Sequence, residues 1–337
     1  MRLRDLGLRI GALEAAATDS IADVSGIRVG HVTVWRDEPE PPDGRGVART
    51  GVTAVVPPSL PLRAGVAVLN GAGELTGSHE IREWGLLETP VYLTATMAVG
   101  RVYDGAVSVA VASDPSVGVD AVLIPVVGEC DDSDLSEARV VQVEAEDVAR
   151  AVGGATGWPF DEGAVGAGTG MTCLGWKGGI GSASRVAGEW VVGVLVLANF
   201  GTGRELRIAG VPVGEVMPGE ARSKPAGSCI VVVATDAPLS SASLERVARR
   251  AGLGLARTGS VAHHGSGEIF LAFSTSSGAE LEGRGLDPLF AATVEATEEA
   301  VLNALWAARD VEGREGRVVR RLPHDEVLEL LRARGAL

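Results

Sequence analysis

The sequence predicts an α/β protein in which sheets and helices stack in layers. Several short segments are apolar without interruption for five or more residues, and strands of that kind are usually covered on both faces. Helical patterns lie between these segments without strict strand–helix alternation, which indicates an α/β sandwich of stacked layers.

The predicted strands are short runs rich in Val, Ile, Leu and Ala. They comprise residues 52–56, 66–69, 106–112, 121–127, 191–198, 228–234 and 269–274. Helices are predicted at 147–152, 240–250, 287–308 and 325–334. Asp287 followed by Pro288 is typical of a helix start, and Gly252 is typical of the left-handed residue after a helix end.

Length and composition favour one domain with a large core. The chain has 337 residues, which corresponds to one large domain or two small ones. No repeat or long linker divides it, so a single domain over residues 1–337 is expected. With 46% hydrophobic and 22% charged residues, the chain is not mainly disordered.

Charge and cysteine usage exclude several classes of partner. The net charge of −14 opposes binding to nucleic acid, which requires a basic face. The three cysteines are widely separated, and His31, His79 and His324 are isolated, so no metal-ligand spacing occurs and no metal is expected. Charged residues interrupt the first ten positions, and no apolar run approaches the ~18 residues of a membrane helix. We therefore expect a cytoplasmic protein with no membrane partner.

Residues 163–170 and 177–182 form the densest glycine region of the chain. The region contains no GxxxxGK[ST] loop, and Met171 stands where a GxGxxG pattern requires its last glycine. We interpret these glycines as close backbone packing near a site rather than as a nucleotide-binding loop.

Ser228 lies at the start of the predicted strand 228–234, directly after Gly227. A serine that ends a loop is one interpretation. The other is a self-cleaving nucleophile, whose hydroxyl attacks the Gly227 carbonyl so that an N→O acyl shift and hydrolysis release a new N-terminus. Glycine tolerates the strained backbone that this attack requires. The freed α-amine, with a reference pKa of ~7.7–8.0, could then act as the base.

Residues in two further segments could support such a nucleophile. Ser266 and Glu268 lie two residues apart before the strand 269–274, so a strand would place both side chains on one face. Asn199 follows the strand 191–198, where its amide could donate to an oxyanion. Ordinary polar turns would also explain each position taken alone.

Together these segments resemble the DmpA-type aminopeptidase family, self-cleaving N-terminal serine hydrolases that include L-aminopeptidase D-amidase/D-esterases and β-peptidyl aminopeptidases. Matching blocks follow the family order over most of the chain. They are 21–33 (IADVSGIRVGHVT), 122–129 (VLIPVVGE), 163–186, 227–239 (GSCIVVVATDAPL), 265–275 (GSGEIFLAFST) and 286–304.

The resemblance implies a four-layer αββα sandwich, similar to that of ornithine acetyltransferases and N-terminal nucleophile hydrolases. It also implies autoproteolysis between Gly227 and Ser228 into chains 1–227 and 228–337 that stay together. The implied activity releases N-terminal residues from small peptides, amides or esters that have a free amino terminus. No cofactor is implied, and the cleaved units are expected to form a homo-oligomer, by family analogy a tetramer.

The resemblance also assigns roles to individual residues. Ser266 and Glu268 match the family's supporting serine and carboxylate, and Asn199 matches its oxyanion amide. Glu129 falls where the family holds the substrate's amino group, and a carboxylate is a suitable partner for an ammonium. Asp131 stands where some members have a tyrosine that donates to the oxyanion, which an ionised carboxylate cannot do. Either another donor replaces the tyrosine, or Asp131 turns away and helps bind the amine.

Other interpretations stay open at this point. Cys229 is a rival nucleophile, and Ser228 could form a triad with Asp236 and either His263 or His264. Two other functions are an acyltransferase of the ornithine acetyltransferase type, whose nucleophile is threonine, and an uncleaved homologue that binds a ligand without catalysis.

Overall fold

The computed structural model describes residues 2–220 and 227–337. The strands in these ranges are β1 (Arg28–Asp37), β2 (Val47–Val56), β3 (Leu62–Gly71), β4 (Leu86–Leu87), β5 (Val91–Ala95), β6 (Val126–Cys130), β7 (Thr172–Cys173), β8 (Trp176–Lys177), β9 (Gly179–Ala187), β10 (Trp190–Asn199), β11 (Ser228–Thr235), β12 (Gly267–Ser274), β13 (Val311–Glu312) and β14 (Val318–Val319). The α-helices are α1 (Ser78–Trp84), α2 (Val99–Ser113), α3 (Ala145–Gly153), α4 (Val213–Val216), α5 (Ser241–Arg257), α6 (Asp287–Ala307) and α7 (His324–Ala333).

Two large sheets form the centre of the molecule. One has the strand order β1-β2-β5-β6, and the other has the order β4-β3-β12-β11-β10-β9. In the larger sheet, β11 pairs antiparallel with β10 and parallel with β12. The amino-terminal ends of β11 and β12 therefore meet the carboxyl-terminal end of β10 at one edge of the fold.

Helices cover the outer faces of both sheets, which confirms the predicted αββα sandwich. Helices α2 and α3 pack on the smaller sheet, and α5 and α6 pack on the larger one. Three layers of buried apolar side chains follow from this arrangement: one between the sheets and one between each sheet and its helices. Both faces of the central strands are buried, which explains their continuous apolar sequences.

Most predicted elements are confirmed, with two notable errors. Residues 106–112, predicted as a strand, belong to α2, whose buried face includes Val102, Gly105 and Ala106. A side chain at Gly105 would collide with α3, so the contact between these helices decides the structure of a segment whose local pattern is ambiguous. The predicted helix end at Gly252 is also wrong, because α5 continues to Arg257.

The predicted strand 121–127 forms a regular strand only from Val126 onward. Within residues 2–220 and 227–337, no helix combines the length and apolarity needed to span a bilayer.

Candidate active site

The register of three neighbouring strands places Ser228 in the middle of a short row. Ser228, the first residue of β11, pairs with Asn199 at the end of β10 and with Gly267 at the start of β12. Ser228 is nearly buried, with 6% of its surface exposed. Strands β10 and β12 therefore flank Ser228, the candidate nucleophile, on its two sides in the sheet.

Strand alternation separates Ser228 from its rival Cys229. Ile230 and Val232 point into the core between the sheets, and Ser228 shares their face. Cys229 and Val231 point into the core beneath the helices. Burial also raises the pKa of the Cys229 thiol well above its usual range, which disfavours the reactive thiolate.

Ser266 and Glu268 lie together beside the start of β12, as their spacing predicts. The Ser266 hydroxyl donates a hydrogen bond to Glu268 Oε1, and both side chains are buried. Burial raises the pKa of Glu268, although the bond from Ser266 and the nearby His263 oppose that shift. Glu268 pairs with Cys229 across the strands, so this couple lies at the start of β12, the strand next to Ser228, on the face that Cys229 shares.

Asn199 is fully buried, and both ends of its amide are held. Its Oδ1 accepts the Thr172 N–H at 2.9 Å, and its Nδ2 donates to the Asp131 carbonyl at 2.8 Å. These bonds define which way the amide faces. An amide nitrogen has two N–H groups, and the predicted oxyanion role requires the one that Asp131 does not use.

Glu129 reaches the site from the smaller sheet. Its Oε1 accepts the Glu74 N–H at 2.9 Å, and the Thr96 hydroxyl donates to its Oε2. Gly73 lies between this carboxylate and the backbone of Gly267, which connects Glu129 to the row that contains Ser228. Burial raises the pKa of Glu129, more than its two hydrogen bonds lower it.

Asp131 joins the site through its backbone carbonyl rather than its carboxylate. The exposed carboxylate accepts bonds from Ser133 N at 3.0 Å and from Ser133 Oγ at 2.8 Å. Its negative charge is still close enough to raise the pKa of Glu129. Of the two sequence-based alternatives, this geometry favours an Asp131 that turns away and adds negative charge where an amine would bind.

The glycine-rich region packs backbone against backbone, and a buried lysine stabilises it. Gly179 has a φ of +145°, and a side chain there would collide with the Gly163 carbonyl. Lys177 Nζ donates to the carbonyls of Gly168, Met171 and Gly178 at 3.0, 2.6 and 3.0 Å. Because Thr172 follows in this segment, the lysine supports the residue that orients Asn199. Sequence reasoning missed it, although a lysine within a run of glycines is a visible signal.

The geometry does not form a Ser–His–Asp triad. Asp236 follows the far end of β11, roughly 25 Å from Ser228 at ~3.3 Å per residue, and it accepts the Val191 N–H. His263 Nε2 instead bonds to Glu205 Oε1 at 2.7 Å. In the described part of the chain, no three His, Cys, Asp or Glu side chains cluster as metal ligands would.

An αββα sandwich with a serine at the start of a central strand is the architecture of the N-terminal nucleophile hydrolase class. Comparison with known proteins then identifies the family. The sequence model of the protein family described as peptidase family S58 matches residues 19–319. This chain belongs to that family and is an aminopeptidase, which confirms the resemblance.

Relatives along the full length support this assignment. The β-peptidyl aminopeptidase BapA of Sphingosinicella xenopeptidilytica is 40% identical over 99% of this chain and 91% of its own length. The solved β-aminopeptidase of a Burkholderia species has a TM-score of 0.91 and 41% identity, covering 99% of both chains. The L-aminopeptidase D-Ala-esterase/amidase of Ochrobactrum anthropi, described as a prototype of the serine aminopeptidases, has a TM-score of 0.93 and 37% identity, covering 100% of this chain and 99% of its own.

Proposed function

We propose that this aminopeptidase cleaves itself between Gly227 and Ser228 and then uses Ser228 to release N-terminal residues from small peptides, amides or esters. The observation that carries the proposal is the row formed by Asn199, Ser228 and Gly267, which lies where the three central strands β10, β11 and β12 of the larger sheet end or begin. It places a serine directly after a glycine carbonyl, with polar groups on both neighbouring strands.

Hydrogen bonding at the scissile peptide supports self-cleavage. The Gly227 carbonyl accepts the Gly267 N–H at 3.2 Å, and a donor at that oxygen would stabilise the oxyanion formed when Ser228 Oγ adds. The C–N bond then breaks, and the hydroxyl proton passes to the departing nitrogen. The product is an ester between Gly227 and Ser228 Oγ. Water hydrolyses this ester to a Gly227 carboxylate and a free Ser228 α-amine.

The sheet topology supports two chains that stay together after cleavage. Strands β11 and β12 belong to 228–337, and they lie between β3 and β10 of 1–227. Cleavage at the start of β11 leaves all of these strand pairings intact. By the family resemblance we further propose that the cleaved units form tetramers, which light scattering of the purified enzyme would measure.

In turnover, the Ser228 α-amine takes the place of a histidine base. It accepts the Oγ proton as the oxygen attacks the substrate carbonyl, and it returns the proton to the leaving amine or alcohol. Ser266 and Glu268 keep the amine in position, and Asn199 donates to the oxyanion. The resulting acyl-Ser228 ester is hydrolysed by water, which restores the free serine.

Substrate selection follows from the acidic group at the smaller sheet. Glu129 is buried and would pair with the substrate's ammonium, and the nearby charge of Asp131 strengthens that attraction. Blocked or hydroxyl-terminated substrates cannot replace this interaction, so exopeptidase specificity follows. The named relatives indicate a panel of β-alanyl, L-alanyl and D-alanyl amides and esters.

Trapping the acyl-enzyme tests the function directly. Purified, cleaved enzyme is mixed with an aminoacyl ester, quenched in acid and weighed by mass spectrometry. We expect the added acyl mass on the 228–337 chain of the cleaved enzyme and no added mass on the Ser228→Ala chain, which stays full-length. The exposed Ser108→Ala is the matched control that still cleaves itself and acylates. Hydrolysis that persists in Ser228→Ala, or acylation elsewhere, would contradict the proposal.

A further inference from the structure

A side-chain pair joins the two segments on either side of Ser228. Glu205 belongs to a short 3₁₀ turn, Gly203–Glu205, that follows Asn199 after three intervening residues. His263 lies three residues before Ser266 in the connection between α5 and β12. Their side chains form a hydrogen bond of 2.7 Å between His263 Nε2 and Glu205 Oε1. We call this pair the Glu205–His263 bridge.

Each end of the bridge is also bonded to the segment that it supports. Glu205 Oε2 accepts the Thr202 N–H at 2.7 Å, which holds the turn that follows Asn199. The His263 carbonyl accepts the Ser266 N–H at 2.8 Å and the Asn70 amide at 2.7 Å. The bridge therefore connects the turn after the oxyanion candidate to the turn that carries Ser266.

Backbone packing brings the two segments into close contact. Gly259 has a φ of +109°, and a side chain there would collide with the Glu205 carbonyl. The Arg207 N–H also donates to the Thr258 carbonyl at 2.9 Å. These contacts hold together the parts of the two segments that lie farther from Ser266. Among the described residues, the bridge is the side-chain contact between the two segments that lies nearest to Ser266.

We propose that the Glu205–His263 bridge is a positioning pair that sets the separation between Asn199 and the Ser266–Glu268 couple around Ser228. The proposal rests on the function proposed above. Among the described residues, no hydrogen bond or ion pair joins the bridge to Ser228 or Glu129, so we expect it to act on the geometry of the reacting groups and not on binding of the amine.

The exposure of the bridge separates this role from a role in stability. His263 and Glu205 side chains are 33% and 18% exposed, and pairs in such partly solvated positions contribute little to the free energy of unfolding. A small displacement of catalytic groups, in contrast, can lower a rate by up to about 100-fold. We therefore expect a fall in kcat without a matching fall in Tm.

Two amide replacements at His263 make the sharpest test. In His263→Gln the amide nitrogen lies close to the position of Nε2 and still reaches Glu205, whereas the shorter His263→Asn does not. The exposed His264→Ala is the matched control. All variants are brought to complete self-cleavage, checked by mass, and compared by kcat, KM and Tm on one aminoacyl amide.

We expect His263→Asn to lower kcat about 10- to 100-fold with KM and Tm near those of wild type, and His263→Gln to retain kcat within about threefold. Glu205→Gln should also lower kcat, and combining it with His263→Asn should cause no further loss. If wild-type enzyme is active and the His263→Asn and His263→Gln variants have equal kcat, the positioning role of the bridge is refuted and the proposed function is not. A wild-type enzyme without turnover would overturn the proposed function and the bridge with it.

Discussion

Replacing Glu129 by glutamine removes the charge assigned to the substrate's ammonium while preserving the shape of the side chain. Hydrogen bonds to charged groups typically contribute ~1.5–3 kcal/mol, and ~1.4 kcal/mol corresponds to a tenfold change. Because Glu129 is 3% exposed, solvent screens its charge weakly, so this range applies without a discount. We expect Glu129→Gln to raise KM about 10- to 150-fold for substrates with a free amino group, with a smaller change in kcat.

The assay compares an aminoacyl anilide with its analogue that has a hydroxyl in place of the amino group. In the wild-type enzyme, KM should be lower for the amine substrate than for its hydroxyl analogue, by the same factor by which Glu129→Gln raises KM for the amine. The variant should therefore have similar KM values for both substrates. Glu189→Gln is the control, because this exposed glutamate lies in the turn between β9 and β10, at the end of β10 away from Asn199. If Glu129→Gln keeps the wild-type preference for the amine, another group binds the ammonium and the reasoning is refuted.

The same carboxylate predicts a pH dependence of KM. Only ionised Glu129 attracts the ammonium, and burial raises its pKa above the ordinary glutamate value. As pH falls through this raised pKa, Glu129 takes up a proton and KM rises. The rise should begin at a higher pH than an exposed glutamate would give, and it should be absent in Glu129→Gln.

Three further substitutions test other parts of the structure. Asn199→Ala should lower kcat about 100- to 1,000-fold, the usual cost of one oxyanion donor, with KM little changed in steady-state assays. Lys177→Met should destabilise the uncleaved Ser228→Ala chain in urea unfolding by ~3 kcal/mol or more, because three carbonyls lose their donor; no change in the urea midpoint would contradict this. Burial raises the pKa of Asp132 to about 7, so the folded chain holds a proton that the unfolded chain releases near pH ~3.9. The free energy of unfolding that this group contributes is therefore lost as pH rises from ~4 to about 7. In the same background, Asp132→Asn should raise the free energy of unfolding by up to ~4 kcal/mol over its parent at pH 8, but by little at pH 4. A difference between variant and parent that does not depend on pH would refute this prediction.

Local sequence predicts the central strands well because their pattern depends on little else. The run after Gly227 is continuously apolar, and the predicted strand 228–234 differs from β11 by one residue. The segment 106–112 has a similar composition, yet it is helical because Gly105 permits close packing on α3. Valine and alanine runs fit both structures, so a distant contact decides between them.

In the candidate site, too, neighbouring residues in the sequence predict some contacts, whereas other contacts join residues that lie far apart in the sequence. The spacing of Ser266 and Glu268 predicts their shared face, and the hydrogen bond between them agrees. The bond between Glu205 and His263 joins residues 58 positions apart, and no local pattern indicates such a pairing. Asp131 illustrates a third case, since its identity suggests a role for the carboxylate whereas its backbone carbonyl makes the contact with Asn199.

The most direct test of the account is the intact mass of the purified protein under denaturing conditions, beside a Ser228→Ala control. Self-activation predicts two chains in wild type, 1–227 and 228–337, and one full-length chain in the control. A wild-type chain that stays whole on prolonged incubation would contradict self-activation, and the interpretation as an uncleaved binding protein would then be favoured.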